Sequence, residues 1–358
     1  YDKDKINVKK INNLKMPFME EGGEKLLKKN IKRIFATTNK KFVRLAKTII
    51  VCVGTPVKSS KPDLEFFFKM FREIKDHIDP KKLLVIRSSV YPGTCLKIQN
   101  FLGKNFNNIS YCPERVVQGK SISELPKLPQ IISGVSKKSI NQSSKLFKLI
   151  CKKIIITSIL EAELIKLFSN AWRYINFSIS NQFYMICEKF DINFKNLRNN
   201  MIEGYERNRG IAKAGFTAGP CLYKDTVQLN AFLKNSFTLG TAATEINQGF
   251  PKFIYNKIKK KFKNKLKIKR IGILGIAFKS DIDDVRDSLS IDLLNFLSKK
   301  GLRVHISDPY VKMKGIIEKN KLIKLSDIII LGAPHSSYKK IKIPKNKFLV
   351  DSWEFFEK

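Results

Sequence analysis

The chain has no Cys-x-x-Cys pair. Its six cysteines, at positions 52, 95, 112, 151, 187 and 221, stand singly and mostly among apolar residues. That argues against a zinc site or a disulfide framework, and for a reducing compartment. Histidine is scarce, with only His77, His305 and His335, so no histidine-built metal centre is expected. No stretch reaches the ~18 apolar residues of a membrane span. The opening YDKDKINVKKINN lacks the apolar core of a signal peptide. Acidic residues are few: 31 Asp and Glu face 69 Lys and Arg, a formal net charge of +38. Such a surplus raises nucleic-acid binding. Yet the lysines run along the whole chain, neither gathered in one arm nor interleaved with aromatics. A chain-wide bias is the favoured reading, nucleic acid is not an expected partner, and the field still draws small anions such as nucleotides.

What is present is ordinary for a globular protein: 358 residues, 43% of them hydrophobic. Short apolar runs alternate with longer helical patterns. Strands are expected at 48–54, 83–89, 108–112 and 153–157, and again at 270–277, 302–307, 327–333 and 348–353. Continuous apolar strands between helices read as parallel sheets covered on both faces. Two such sets imply two α/β domains. Between them, residues 159–190 hold no Pro or Gly over 32 positions, and their apolar residues recur every three or four, so one long helix is expected. Residues 191–200 and 228–248 continue the helical character. The start is odd. A nucleotide-binding α/β domain should open with strand, glycine-rich turn and helix, and no Gly-x-Gly-x-x-Gly occurs. YDKDK reads instead as the end of a second strand, where an acid meets ribose hydroxyls. The first strand and its glycine turn are expected to lie upstream of Tyr1.

Several constellations could carry chemistry. AGFTAGPCLYKDT (214–226) puts Cys221 in a turn of small residues, which let a backbone approach a ligand closely, with Lys224 and Asp225 beside it. Lys166 and Asn170 share a helix face, with Asn181 near the same face, amid Leu164, Leu167, Phe168, Ala171 and Trp172. Three strand ends carry polar turns: Gly54-Thr55-Pro56, Ser88-Ser89 and Pro113-Glu114. The carboxyl ends of parallel strands are where ligands bind. Lys279 and Arg286 follow a strand in GILGIAFKSDIDDVRDS and suit a phosphate. DPYV ends the next strand at Asp308-Pro309.

Taken in order, VGTP, SSVYPGT, CPERVVQGKS, EAELIKLFSNAW, GPCLYKD, GIAFKSDIDDVRDS and DPYV resemble the UDP-sugar 6-dehydrogenases, the UDP-glucose and UDP-N-acetylmannosamine dehydrogenase family. The resemblance spans about Asp2 to Trp353. It implies two Rossmann-like parallel-sheet domains joined by a helical middle: an NAD-binding domain at 1–157, incomplete at its N-terminus, a helical dimerisation domain at 158–262, and a UDP-binding domain at 263–358. It implies a cytoplasmic homodimer with NAD as cofactor and a UDP-sugar as substrate. Cys221 matches the nucleophile that captures the C6 aldehyde as a thiohemiacetal and then a thioester. Lys166 and Asn170 match the pair around the reacting oxygen, Asp225 the residue that orients water, and Glu114 the acid–base group. Gly54, Thr55, Pro56, Ser88 and Ser89 fall at the cofactor side, Ser89 where threonine is common. Lys279 and Arg286 match residues near the UDP-sugar, and Asp2 the ribose-binding acid. A positive charge, from Lys166 or Lys224, would favour the thiolate.

There are departures. Gln118 replaces a second glutamate, and GFTAGPC differs from the commoner Gly-x-Gly-Gly-x-Cys. Arg207 and Arg209 both suit an arginine donated across subunits. Two alternatives stay open: a β-hydroxyacid dehydrogenase, which needs no thiol, and an inactive binder of nucleotide-sugars or polyanions.

Overall fold

Strand Leu83–Ile86 shows how sequence becomes architecture here: all four residues are buried. Leu84 and Ile86 point to one cluster with Phe67, Phe71, Ile98 and Leu102. Leu83 and Val85 point to the other face, with Ile132 and Phe147. A strand covered on both faces has to be apolar at every position. The computed structural model describes all residues except Pro56, Ser59, Ser60, Lys104, Glu357 and Lys358. Pro56, a candidate binding residue, therefore lies outside the described residues. The chain divides into two units, Tyr1–Ser169 with Lys224–Ser236, and Asn170–Tyr223 with Phe237–Lys358.

Unit 1 carries β1 (Thr48–Val51), the short antiparallel pair β2 (Val57–Lys58) and β3 (Lys61–Pro62), then β4 (Leu83–Ile86), β5 (Ile109–Tyr111), β6 (Gln130–Gly134) and β7 (Ile154–Ile156). The five-stranded sheet has the order β1-β4-β5-β6-β7. Its pairs are parallel except β5 with β6. That antiparallel strand was not expected from sequence. QIISG has only two large apolar residues between Pro129 and Gly134, too short a run to signal a strand. Unit 2 carries β8 (Arg270–Leu274), β9 (Arg303–Ser307), β10 (Ile328–Leu331) and β11 (Phe348–Val350) in the order β11-β10-β8-β9, all parallel. Ile328 and Ile330 face the cluster of Phe250, Ile254, Leu293 and Leu297. Ile329 and Leu331 face Leu322 and Tyr338 on the other side. Each such side chain contributes about 1.5–3 kcal/mol of burial.

The long helix runs Ile159–Lys189, 31 residues. Asp191 stops it by taking φ +56°. The Ile192 N–H then reaches back to the Cys187 carbonyl at 2.9 Å, closing the helix end. The single helical stretch expected over 228–248 is instead two helices, Leu222–Phe232 and Thr238–Phe262. Lys234 and Asn235 break it by adopting positive φ. Residues 1–4 are not a strand. Pairing needs a neighbouring strand, and among the described residues none lies beside them. Asp4 instead caps the helix Lys5–Asn12.

Two glycines separate packing from backbone strain. Gly301 has φ +71° and open space at its Cβ position. Gly275 has φ +83°, and a Cβ there would sit 2.4 Å from the Ala333 carbonyl oxygen. Gly301→Ala is expected to cost about 1 kcal/mol and Gly275→Ala more than about 3. Urea melts of both variants check this; equal losses would show that the Ala333 contact is not the constraint.

Candidate active site

In unit 1 the loops after the strands are held by buried polar side chains. Glu163, on the long helix, is fully buried. Its carboxylate accepts the N–H groups of Gly93 (2.6 Å) and Cys95 (2.9 Å), at the start of helix Thr94–Leu102. A negative charge is favoured there. Burial pushes the Glu163 carboxyl up, against the pull of those two amides. Burial, and then the charge of Glu163, pushes the Cys95 thiol well up. The buried Tyr111 phenol is raised by burial and by Cys95, Glu163 and Asp225. These four form one enclosed polar cluster.

A second knot ties three loops together. The Thr55 hydroxyl donates to the Ser89 carbonyl and accepts from Lys224 Nζ at 3.0 Å. The Lys224 ammonium also lies 3.5 Å from the fully buried Asp225 carboxylate. Thr55, Ser89, Lys224 and Asp225 thus come together at the ends of β1 and β4 and the first turn of helix Leu222–Phe232. Ser88 is buried and donates to the Val51 carbonyl at 3.4 Å. Gly54 is exposed, with open space where a Cβ would project. A hydroxyl-lined, glycine-bearing carboxyl edge fits a dinucleotide. Glu114 has partners of its own: one oxygen pairs with Arg87, and the other accepts the Arg115 (2.8 Å) and Val116 (3.0 Å) N–H groups. Arg87 also bonds Gln130 at 3.1 Å and covers the Phe147 ring, and burial lowers its pKa. Lys166 is half-buried, and Asn170, one turn on, is buried. Asp2 is exposed and accepts only a local bond, from the Asp4 N–H at 2.9 Å.

Unit 2 carries Cys221. It is exposed, as is Cys52 in unit 1, whereas Cys95, Cys112, Cys151 and Cys187 are buried; burial pushes the Cys112 thiol up to about 12. The loop before Cys221 is fixed at two points. Gly215 N–H donates to Asn181 Oδ1 at 2.8 Å. Asn181 in turn donates to Asn247 at 2.8 Å, and Asn247 to the Tyr174 carbonyl at 3.1 Å. Gly219 N–H donates to the Asp287 carbonyl at 3.2 Å. That bond brings the loop to the segment bearing Arg286. The Arg286 guanidinium is raised by its hydrogen bonds to Asp284. Lys279 is half-buried on the same segment.

Sequence reading passed over Glu163, Arg87 and the bond from Lys224 to Thr55. A glutamate among apolar residues of EAELIKLF was the available signal for the first. The other two depend on which loops fold together, which no local pattern encodes.

At the end of β9, Asp308 accepts the N–H groups of Ile276 (2.8 Å), Ala277 (3.1 Å), Tyr310 (2.9 Å) and Val311 (3.1 Å), and pairs with His335 at 3.0 Å. Burial pushes its carboxyl up, but the His335 bond and the backbone donors outweigh it and hold it below its ordinary value. A depressed carboxylate stabilises the fold above its unfolded pKa, about 4, and that contribution is lost as pH falls through the lower folded value. Asp308→Asn is therefore expected to destabilise most at pH 7, with the gap to wild type narrowing below about pH 4. Urea melts at pH 7 and pH 3 measure this, and an unchanged gap would contradict it.

Three domain models of the UDP-glucose/GDP-mannose dehydrogenase family match the chain in order: the NAD binding domain at residues 1–151, the central domain at 160–249 and the UDP binding domain at 272–358. The UDP-N-acetyl-D-mannosamine dehydrogenase of Pyrococcus horikoshii is 27% identical over 96% of this chain and 86% of its own length. A solved structure of UDP-D-ManNAc dehydrogenase from that organism superposes with a TM-score of 0.88, over 96% of this chain and 84% of that one. The UDP-glucose 6-dehydrogenase of Rickettsia bellii is 29% identical over 86% of this chain and 75% of its own length. A UDP-glucose dehydrogenase structure from Pyrobaculum islandicum, at 20% identity, shares the fold with a TM-score of 0.88 over 99% of this chain and 90% of that one. Among the described residues no helix is long and apolar enough to cross a membrane. The chain belongs to the UDP-glucose/GDP-mannose dehydrogenase family, with two Rossmann-like domains, a long central helix and NAD as its cofactor.

Proposed function

We propose that this chain oxidises the C6 primary alcohol of a UDP-sugar to the carboxylate, in two NAD-linked steps, through a covalent adduct on Cys221. The observation that carries the reading is Cys221 itself: exposed, on a loop anchored at Gly215 and Gly219, the latter bonded to the segment that bears Arg286. The Gly54-Thr55 and Ser88-Ser89 turns and Asp2 would hold NAD, which when bound would supply the hydride acceptor. The other work belongs to the chain's own side chains. The Lys166 ammonium and the Asn170 amide steady the negative charge on the reacting oxygen, and one such donor is worth about 3 kcal/mol. The Cys221 sulfur bonds the aldehyde carbon and holds it as a thiohemiacetal, whose oxidation leaves a thioester. Water, oriented by Asp225 and relieved of its proton with the help of Glu114, adds to the thioester carbon. The carbon–sulfur bond then breaks, and the thiolate returns to Cys221. A thiol suits this cycle because it is a far stronger nucleophile at neutral pH than a hydroxyl. Lys279 and Arg286 neutralise the diphosphate of the substrate.

The proposed protein is a homodimer. Trp172, Ile179 and Ile186 are exposed apolar residues at seven-residue steps along the long helix, a row that suits a helix partner.

The test is stoichiometric. Wild-type protein, offered UDP-glucose and UDP-N-acetylmannosamine in turn, is expected to form two NADH per sugar with one of them. Cys221→Ser is expected to lose at least about a thousandfold in the full reaction and to stall at the aldehyde level. Two NADH per sugar from the serine variant at near wild-type rate would sink the covalent route.

A further inference from the structure

Three strand ends of unit 2 converge on one imidazole. His335 follows β10 and is fully buried. Its ring stands edge-on to Tyr310, at 5.1 Å between centroids, and to Tyr338, at 5.4 Å. Nδ1 accepts the Asp281 N–H at 2.9 Å. The ring hydrogen is therefore on Nε2, which donates to Asp308 Oδ2 at 3.0 Å. That same oxygen holds the Ile276 and Ala277 amides of the turn after β8.

Asp281 is the far end of the hub. Its backbone has φ +56°, a conformation that costs an L residue about 1 kcal/mol or more and persists only where neighbours enforce it. The neighbours are named: its N–H goes to His335, and its Oδ1 accepts the Ser336 N–H (2.8 Å), the Ser336 hydroxyl (2.9 Å) and the Tyr310 hydroxyl (3.4 Å). The carboxylate lies 3.9 Å from Nδ1. Lys279 precedes this turn by two residues and Arg286 follows it by five. A neutral imidazole offers one acceptor and one donor on opposite sides of a rigid ring. His335 uses both, bonding the Asp281 amide on one side and the Asp308 carboxylate on the other.

We propose that His335 is a positioning residue for the uridine-nucleotide site. It fixes the reversed turn at Asp281 against the ends of β9 and β10, and so sets where Lys279 and Arg286 meet the diphosphate. The inference rests on the UDP-sugar reading above. It assigns His335 no contact with the sugar carbon and no part in the oxidation.

Two amide variants of the full chain separate the two halves of the ring. His335→Asn keeps an acceptor where Nδ1 stands and loses the donor to Asp308. His335→Gln keeps a donor where Nε2 stands and loses the acceptor for Asp281. The probes are UDP binding by calorimetry and steady-state kinetics with the UDP-sugar that the wild type oxidises. His335→Gln is expected to raise the Kd for UDP and the KM for the sugar nucleotide about tenfold, as the loss of one buried hydrogen bond implies. Its kcat and its KM for NAD should change by less than about twofold, and His335→Asn should keep UDP binding within about threefold of wild type. Equal losses in the two variants, unchanged UDP binding in His335→Gln, or a fall in kcat alone would overturn the proposal. If neither folds, Asp281→Ala, which places a methyl-bearing residue at positive φ without the carboxylate, must weaken UDP binding; undiminished affinity overturns it. Wild-type protein that binds no UDP sinks the UDP-sugar reading and this one together, whereas normal wild-type binding with an undisturbed glutamine variant sinks only the positioning role.

Discussion

Backbone amides left over at the ends of parallel strands are the constraint on which both units are built. A strand's ladder ends, the chain turns toward a helix, and several N–H groups have no partner in regular structure. Each unit answers with a buried carboxylate. Glu163 takes two amides at the start of helix Thr94–Leu102, and Asp308 takes four amides and an imidazole. Charge-assisted bonds of this kind are roughly twice as strong as neutral ones, and a partner removed leaves the other buried and unsatisfied. The turns are therefore fixed by the interior, which leaves Gly54 and Arg286 exposed and Lys279 half-buried along the same edges.

The architecture was largely legible, and the reason is the alternation seen in β4 and β10. Strands covered on both faces have no polar position, so LLVI and IIIL stand out against a lysine-rich background. The long helix was legible because nothing in 159–190 can break it before Asp191. What was hidden depended on partners distant in sequence. Strand β6 is polar at Gln130 and Ser133 and gains its place only from β5 and β7. The break after Phe232 rests on two residues, Lys234 and Asn235, whose positive φ no composition rule marks for lysine. Cys221, Lys166 and Asn170 could be singled out because a reactive or polar residue in apolar company is visible locally. The bonds that hold the Cys221 loop, from Asn181 and Asp287, could not.

The cations near the candidate site divide their work differently from a reading by sequence neighbours. Lys224 lies three residues after Cys221 and invites assignment to the thiol. Its ammonium instead bonds the Thr55 hydroxyl and pairs with Asp225, which commits it to closing a knot of loops within unit 1. In unit 2 it is the segment bearing Arg286 that reaches the Cys221 loop, through the Asp287 carbonyl that accepts the Gly219 N–H at 3.2 Å. Asp284 grips that guanidinium through three contacts, Nε to both carboxylate oxygens at 3.0 and 3.1 Å and Nη2 to one at 2.6 Å. A guanidinium stays charged and planar throughout the pH range of catalysis.

The glycines of the Cys221 loop have a related explanation. Small residues there need not mean that a ligand approaches the backbone. A Cβ on Gly215 would meet the Trp353 ring at 2.4 Å, and one on Gly219 would meet the Phe278 ring at 2.4 Å. The loop's own aromatic neighbours fill the space that the glycines vacate. Trp353 is itself tied down, its indole N–H donating to the Gly332 carbonyl at 2.9 Å. Glycine's freedom at φ +152° and +104° is thereby converted into a single conformation, with a ring lying on the backbone at each end and an amide bonded beside it. Cys221 thus extends from a loop packed against two half-buried rings, Trp353 and Phe278.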